Sequence, residues 1–175
     1  MRVVAGRYKG RRLHAPPGRS TRPTADRVRE ALFQLLGPLD GLRVLDLFAG
    51  SGALAIEALS RGASHAVLVD SDPRALEAAR RNVEAVGASA ELHRRDALAF
   101  LRGYAGEPFD LVLLDPPYSS GGRLAGGLAG LLPHVLSDDA RIVTESDKRA
   151  PLPLALPLLD ERTYGDTRIA IHRGP

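Results

Sequence analysis

The chain has 175 residues, of which 44% are hydrophobic and 26% are charged, a composition that is ordinary for one soluble globular domain. The absence of cysteine excludes disulfides, thiolate zinc sites and a cysteine nucleophile, and the five histidines are scattered, so we expect no metal. No apolar run approaches the ~20 residues of a membrane span and no secretion signal precedes the basic N-terminal segment, so we expect a cytoplasmic protein without a membrane partner.

Positive charge is concentrated near the N-terminus. Residues 1–29 carry nine Lys or Arg and one acid, whereas the rest of the chain has a net charge of −5, which gives an overall charge of +3. The segments "RVVAG" and "GRRLHAP" predict short strands on either side of a turn, so we expect a basic β-hairpin extension within residues 1–22. Such an arm is typical of proteins that bind polyanions, and a solvated terminus is the alternative. The candidate phosphate-binding side chains are those of Arg7, Lys9, Arg11, Arg12 and Arg22.

Residues 23–175 predict one α/β domain in which strands and helices alternate. Its first helix follows Thr24, a good N-cap, and ends at Gly37-Pro38. The predicted apolar face of this helix consists of Val28, Ala31, Leu32 and Leu35. The elements that follow are strand 43–49, helix 52–62, strand 65–70, helix 71–87, strand 89–94, helix 96–104, strand 109–115, helix 121–136 and strand 140–145. Prolines at 151, 153 and 157 exclude a long final helix, so residues 154–173 predict two closing strands around Gly165.

This alternation predicts a parallel sheet with helices on both faces, joined by right-handed crossovers. The helix over 71–87 is signalled at both ends, since Asp72 is a good N-cap, Pro73 occupies the first helical position and Gly87 follows the last turn. In sheets of this kind, ligands bind at the carboxyl ends of the strands, beside the switch in strand order. The unusual residues of this chain lie at those strand ends.

The first of these strands runs into a glycine-rich turn. Gly50, Gly52 and Ala55 match the dinucleotide fingerprint in form, and Asp70 ends the next strand, where its two carboxylate oxygens could accept both ribose hydroxyls of an adenosine. The glycines let the backbone approach a ligand, which suits several cofactors equally well. A plain strand-to-helix turn is the alternative.

Two further acids help to choose the ligand. Asp46 lies just ahead of the glycine turn, where a carboxylate would repel a diphosphate and would suit a cation that carries an ammonium and a sulfonium. Asp96, just past the third strand, could accept from an adenine amine, or cap the next helix, or do both. Three acids beyond successive strand ends favour S-adenosylmethionine.

The fourth strand ends in "DPPY", an acid, two prolines and a tyrosine. Prolines lock the backbone and lack N–H groups, which leaves nearby carbonyls available as acceptors. An exocyclic amine could donate one hydrogen to Asp115 and the other to the Pro116 carbonyl, so that the nitrogen lone pair points at an electrophile. Tyr118 could stack on the base. A planar base must leave its stack to reach such a slot, so we expect a flipped-out or unpaired target.

Together these motifs carry a family resemblance. "VLDLFAGSG", "VLVDSD", the Asp96 position and "DPPY", in this order, resemble the class I S-adenosylmethionine-dependent methyltransferases that act on amino groups. The segments "MRVVAGRYKGRRL" and "RPTADRVREALFQLL" are similar to the RsmD family, the guanine-N2 methyltransferases of 16S ribosomal RNA in the small subunit. The similarity covers nearly the whole chain and is thinnest in the proline-rich tail from Pro151.

The resemblance implies a Rossmann-like fold with a mostly parallel, seven-stranded sheet, and it implies roles for individual residues. The basic arm would grip RNA, and the partner would be 16S rRNA or the small subunit. The implied cofactor-binding residues are Asp46, Phe48, Gly50, Gly52, Asp70, Ser71, Asp96 and Ala97. The implied catalytic residues are Asp115, Pro116, Pro117 and Tyr118.

Other functions remain open on the residues alone. The slot chemistry fits adenine-N6 methylation of DNA or RNA as well as guanine-N2 methylation. An NAD(P)-dependent oxidoreductase would use the glycine turn and Asp70 but would leave Asp46 and Asp115 without a role. A non-catalytic RNA-binding protein would have no use for an intact DPPY slot. Nothing in the sequence demands more than a monomer.

Overall fold

The computed structural model describes residues 1–16, 26–117 and 121–174 of the chain. Thr24, the predicted cap of the first helix, and the predicted boundary between residues 22 and 23 lie outside these residues. The helices are α1 (Asp26–Leu36), α2 (Ala53–Ser60), α3 (Pro73–Val86), α4 (Ala97–Gly103) and α5 (Gly121–Leu131), with a 3₁₀ turn at Leu132–Val135. The strands are β1 (Arg43–Asp46), β2 (His65–Asp70), β3 (Glu91–Arg94), β4 (Phe109–Leu114), β5 (Leu136–Asp147), β6 (Leu158–Tyr164) and β7 (Thr167–Arg173).

The seven strands form one sheet in the order β3-β2-β1-β4-β5-β7-β6. The five strands from β3 to β5 are parallel, and β7 is antiparallel to both of its neighbours. The order reverses between β1 and β4, because the chain builds outward from β1 to β3 and then returns to the other side of β1. This switch point is where a parallel sheet leaves a crevice for a ligand. The predicted mostly parallel α/β fold is confirmed.

Alternation of side chains divides the core between the two faces of the sheet. One face carries Val44, Leu68, Leu111, Leu113 and Val143, which pack with α1 and α2. The other face carries Leu45, Val67, Val112, Leu114 and Ile142, which pack with α4 and α5. We call these the α1/α2 face and the α4/α5 face. Successive residues of a strand point to opposite faces, so residues two apart lie on the same face. The face of the last residue in a strand therefore follows from the face of the residue two positions before it.

The predicted apolar face of α1 is correct only in part. The buried residues of this helix are Arg29, Leu32, Phe33 and Leu36, so only Leu32 of the predicted set is fully buried. Val28 and Leu35 lie at the margin of the core. The helix is rotated because Arg29 points inward, where it has a buried partner in α2.

Most of the residues predicted to begin or end a helix lie at the observed ends of the helices. Asp72 accepts a hydrogen bond from the Arg74 amide at 2.9 Å, Pro73 begins α3, and Gly87 ends it with a φ of 71°. The predicted helix over 121–136 is shorter than expected, because α5 gives way to the 3₁₀ turn that contains Pro133. β5 is longer than predicted, since β7 pairs with it as far as Asp147.

The N-terminal segment is anchored to α2 and α3. An isolated antiparallel bridge joins Arg2 and Arg12, and no longer strand forms in residues 1–16, so the two predicted strands are reduced to one bridge. Val3 and Leu13 are buried against Ile56, Val83 and Val86. The segment therefore has a small core of its own on the outside of the domain.

A buried carboxylate organises this anchor. Glu57, in the middle of α2, is fully buried and accepts the amides of Val4 at 2.8 Å and Ala5 at 3.0 Å. It also pairs with the guanidinium groups of Arg29 at 3.6 Å and Arg61 at 2.8 Å. A buried carboxylate is stable only with such partners. The N-terminal segment and α1 are thus joined through one side chain.

Gly6 makes the closest approach of this segment to the domain. Its φ is 78°, and a Cβ built on it would lie 1.8 Å from the Ser60 carbonyl oxygen. The next residues bond to the same place, since Arg7 N–H donates to the Ser60 carbonyl at 2.8 Å and Tyr8 N–H donates to the Ser60 hydroxyl at 2.9 Å. Only glycine fits between the segment and the end of α2.

Removal of the Glu57 carboxylate should destabilise the whole fold. We expect Glu57→Ala to lower the free energy of unfolding by about 3–5 kcal/mol, because it leaves the buried Arg29 guanidinium with only the partly exposed Asp26 as a counter-ion and removes the acceptor of the Val4 and Ala5 amides. Glu77→Ala is the matched control, since Glu77 also pairs with an arginine four residues on, but in the exposed part of α3. That variant should lose about 0.5 kcal/mol or less. Urea unfolding of both variants measures the difference, and equal losses would contradict this account.

Candidate active site

Three carboxylates extend beyond the carboxyl ends of neighbouring strands on the α1/α2 face. Asp46 is level with Leu68 of β2 and Leu113 of β4. Asp70 and Asp115 each lie two residues beyond those partners, and Asp46 lies two residues beyond Val44. Because Val44, Leu68 and Leu113 all belong to the α1/α2 face, the three acids lie on that face too. They lie at the carboxyl ends of β2, β1 and β4, beside the switch in strand order. The three acids singled out in the sequence as ligand and substrate contacts therefore share one edge of the sheet.

Asp46 is buried at this edge. It is 1% exposed, and neither carboxylate oxygen has a hydrogen-bond partner of normal geometry among the described residues. Burial is the main cause that raises its pKa to about 7; the charge of Asp70 adds to the shift, and the nearby amides of Phe48 and Ala55 oppose it. A buried carboxylate without a hydrogen-bond partner is stabilised when a cation or a hydrogen-bond donor binds to it. The group fits the ammonium of an amino-acid ligand.

Asp70 holds the glycine-rich turn in place. One carboxylate oxygen accepts the Gly50 amide at 2.9 Å, and the other accepts the Asp72 amide at 2.9 Å. The turn is also tied to β2, because Ala49 N–H donates to the Val69 carbonyl at 3.0 Å. Each carboxylate oxygen has further lone pairs for hydroxyl donors. The predicted ribose contact thus has a second, structural task.

The two glycines of the turn serve different purposes. Gly50 has a φ of 54°, and a Cβ there would meet only the Phe48 carbonyl, at 3.9 Å, so space beside the backbone remains open. Gly52 has a φ of 77°, and its Cβ would lie 2.9 Å from the Leu68 side chain and 3.3 Å from that of Ala79. The backbone at Gly50 is therefore open on one side, as the predicted ligand contact requires, and Gly52 lets α2 and α3 pack closely on β2.

The remaining predicted cofactor residues border the same edge. Asp96 is exposed and caps α4, since its carboxylate accepts the Ala99 amide at 3.0 Å, and Ala97 behind it is buried. Ser71 is exposed between β2 and α3. Phe48 is half-buried against the core of the α4/α5 face. Asp96 is therefore a helix cap. The predicted contact with an adenine amine is compatible with this role and stays a prediction.

The DPPY motif follows β4 directly. Asp115 is half-buried, Pro116 is buried and Pro117 is exposed. Tyr118 lies outside the described residues. The carboxylate and the rigid proline backbone thus stand at the end of a strand that pairs with β1, which carries Asp46.

The basic arm presents its predicted phosphate contacts to solvent. The side chains of Arg7, Lys9, Arg11 and Arg12 are all exposed, and Arg22 lies outside the described residues. The Arg7 guanidinium stacks 4.6 Å above the ring of its neighbour Tyr8. Because the backbone is bonded to α2, these cations are carried on a fixed segment. Arg29 is different, since it is buried and paired with acids.

A second buried side chain, which the sequence analysis missed, links the arm to the glycine turn. Asn82 of α3 is fully buried, and its amide oxygen accepts the His14 N–H at 2.8 Å. Its amide nitrogen donates to the carbonyls of His14 at 2.9 Å and Ser51 at 2.8 Å. The signal available in the sequence was a polar residue on the apolar side of α3. Glu57 carries the same signal within "ALAIEALS".

Other kinds of site find little support in the part of the chain that the structure describes. Those residues contain no group of three or more His, Asp or Glu that could hold a metal ion. Across the same ranges, no helix combines the length and the apolar character needed to cross a membrane. An open groove of about 700 Å³ lies between His14 and Ala15 and the outer side of α3, and none of the predicted site residues lines it.

Comparison with known proteins identifies the family. The family model described as "Conserved hypothetical protein 95" matches residues 1–173. The "Putative rRNA methyltransferase YlbH" of Bacillus subtilis is 42% identical, with 99% of this chain and 98% of the relative covered. The "Ribosomal RNA small subunit methyltransferase D" of Escherichia coli is 38% identical, with 87% and 78% covered.

The fold comparison agrees. A solved structure described as "Putative methyltransferase yhhF from Escherichia coli" has a TM-score of 0.83 at 35% identity, with 99% of this chain and 97% of that chain covered. Both the predicted resemblance and the predicted methyltransferase fold are confirmed. The chain belongs to the family described as Conserved hypothetical protein 95, which is the RsmD family.

Proposed function

We propose that this protein transfers a methyl group from S-adenosylmethionine to the exocyclic N2 amine of one guanine in 16S rRNA of the small ribosomal subunit. Membership of the family confirms the predicted enzyme class, an rRNA methyltransferase, and the predicted methyl donor. The observation that carries the proposal is the row of carboxylates beyond β1, β2 and β4 on one face of the sheet, beside a glycine turn with open space at Gly50.

The donor side of the site suits a cationic nucleoside. We assign the Asp46 carboxylate to the ammonium group, since both of its oxygens need a donor. Asp70 would accept from the ribose hydroxyls while it holds the Gly50 amide, and Asp96 would accept from the adenine amine while it caps α4. The donor supplies an electrophilic methyl carbon attached to a positively charged sulfur. Carboxylates around this sulfur favour S-adenosylmethionine, which is positively charged there, over a dinucleotide with its negative phosphates.

The acceptor side of the site suits a planar amine. Asp115 and the Pro116 carbonyl would each accept one hydrogen of the N2 group, which turns the nitrogen lone pair out of conjugation with the ring. The prolines hold both acceptors still, so catalysis comes mainly from the alignment of nitrogen and methyl carbon at about 3–3.5 Å. Tyr118 would stack on the base. No strong base is needed, because the methylated nitrogen is acidic and loses its proton readily.

RNA would be held by the arm. The exposed cations of residues 7–12 stand on a segment that is bonded to α2 through Glu57 and Ser60, so their directions are fixed relative to the sheet. Fixed cations contact phosphates with less loss of conformational entropy than a flexible tail does. The target guanine would be flipped out or unpaired when it enters the slot. We propose that the enzyme works as a cytoplasmic monomer.

Removal of the acceptor carboxylate separates methyl transfer from cofactor binding. We expect Asp115→Ala to lower the rate of methylation of small-subunit rRNA by at least about 10³-fold, because one of two amine acceptors is removed. The dissociation constant of S-adenosylhomocysteine, measured by calorimetry, should change by less than about threefold. Asp138→Ala, which removes an exposed carboxylate from β5, is the control and should leave both values unchanged. Full activity in Asp115→Ala would show that the amine is held elsewhere.

Cofactor affinity should depend on the protonation of Asp46. Its pKa of about 7 means that the carboxyl is mostly protonated at pH 6 and mostly ionised at pH 8, so the ammonium group of a bound ligand gains its counter-charge only as the pH rises. We expect S-adenosylhomocysteine to bind roughly tenfold more weakly at pH 6 than at pH 8. Calorimetry over this range measures the effect.

The Asp46→Asn variant controls for other titrating groups. It should bind the ligand more weakly at pH 8 and show a flat pH profile, because it has no proton to lose. A wild-type dissociation constant that stays constant between pH 6 and pH 8 would contradict the assignment of Asp46 to the ammonium.

The arm should account for much of the salt dependence of RNA binding. We expect replacement of Arg7, Lys9, Arg11 and Arg12 by Gln to weaken rRNA binding and to reduce the slope of log affinity against log salt by about 0.7–0.9 for each phosphate that the arm no longer neutralises. Arg162→Gln and Arg173→Gln are controls, because these exposed arginines already pair with Asp160 and Asp139. A slope that is the same in the arm variant and in wild type would mean that the arm is a solvated segment that does not touch RNA.

A further inference from the structure

A buried carboxylate without a role in the reaction described above lies next to Asp115. Glu145 is 6% exposed and belongs to β5, the strand that pairs with β4. Leu114 is level with Thr144, so the next residues lie side by side, with Asp115 just after β4 and Glu145 within β5. Neighbouring strands lie about 4.8 Å apart, which places the two acids within reach of one small planar ligand.

Both acids point to the same face of the sheet. Glu145 is two residues after Val143, and Asp115 is two residues after Leu113, so each lies on the same face as that residue. Val143, Leu111 and Leu113 all lie in the core of the α1/α2 face. Glu145 is also level with Ile169 of β7, which lies in the same core. Residues directly opposite each other in a sheet share a face. Asp115 and Glu145 therefore lie on the same face of the sheet, beside the carboxyl end of β4.

An independent observation marks this edge as a place for a ligand. Asp46, on the same face and one strand away from Asp115, is 1% exposed and has two carboxylate oxygens without a hydrogen-bond partner among the described residues. Buried polar groups of this kind are satisfied by a ligand or by water. In strand order, Asp46 of β1 is followed by Asp115 after β4 and by Glu145 of β5. Glu145 thus lies on the side of Asp115 away from the donor.

We propose that Glu145 is a specificity-determining residue that accepts the N1–H of the target guanine. This inference rests on the proposed function. Guanine carries a ring N1–H directly beside its N2 amine, so two carboxylates side by side match two adjacent donors. Adenine carries a lone pair at N1 beside its N6 amine, and a carboxylate at that position would repel it. Glu145 thereby selects between two bases that Asp115 and Pro116 alone would accept equally.

The size of the selection follows from the difference between a hydrogen bond and a repulsion at the same position of the base. A hydrogen bond to a charged group contributes more than one between neutral groups, and a buried carboxylate that faces a lone pair loses that bond and gains repulsion. A site built to bond a substrate N–H rejects analogues that lack it much more strongly than it rejects a change in size. We therefore expect at least about a tenfold preference for a base that has the N1–H.

2-Aminopurine tests this contact directly, because it keeps the 2-amine and lacks the N1–H. Small-subunit rRNA would be assembled by ligation with guanine, 2-aminopurine or adenine at the mapped target, in the state that the wild-type protein methylates. We expect wild-type kcat/KM for guanine to exceed that for 2-aminopurine by at least about tenfold, with adenine unreactive. Equal rates on guanine and 2-aminopurine would overturn the inference without any variant.

The variant Glu145→Gln keeps the size of the side chain and can donate to a ring lone pair. We expect its kcat/KM for guanine to fall by at least about tenfold, while its value for 2-aminopurine changes by less than about threefold or rises, so that the ratio between the two bases collapses. A merely structural role would lower both values in proportion, and an unchanged ratio would overturn the inference.

Two controls separate the possible failures. The affinity of Glu145→Gln for S-adenosylhomocysteine should stay within about threefold of wild type, which shows that the fold and the donor side are intact. If wild type methylates adenine and leaves guanine unmodified, the proposed function itself fails. If wild type methylates guanine and the ratio in Glu145→Gln is that of wild type, only the role of Glu145 fails.

Discussion

The parallel pairing of β1, β2, β4 and β5 is the constraint on which the site depends. Parallel strands end at one edge, and their register fixes which residues leave the sheet at the same level and on the same face. Three strand-end acids that are distant in sequence become neighbours through backbone hydrogen bonds alone. The proposed chemistry of a cationic donor and an amine acceptor rests on that row of carboxylates, in which Asp46 is buried and has a raised pKa.

The second constraint is the anchor of the N-terminal segment. Glu57 ties it to α1 and α2, and Asn82 ties it to the glycine turn. Both side chains are buried and fully engaged, so the cations of the arm and the backbone around the cofactor turn belong to one rigid unit. In the proposed function, where a base in a large RNA must reach one methyl carbon, a rigid arm that binds phosphates would help to place the base.

The sequence could predict those features that depend on neighbours along the chain. The caps of α3, the closing strands around Gly165 and the alternation of strands and helices all rest on local signals, and the family could be identified from its motifs. The buried face of α1 was predicted only in part, because Arg29 looks like a surface charge until its partner Glu57 is brought to it by the fold. Asn82 was missed for the same reason, since its partners His14 and Ser51 lie far away in sequence. The adjacency of Glu145 and Asp115 follows from register, which no local pattern reports.

The identity of the methylated atom tests the account most directly. Small-subunit rRNA from cells that lack this enzyme would be incubated with the protein and isotopically labelled S-adenosylmethionine, then digested and analysed by mass spectrometry. The account predicts the label in N2-methylguanosine, at one nucleotide. Label in N6-methyladenosine, or none in rRNA while the protein still binds the donor, would contradict it.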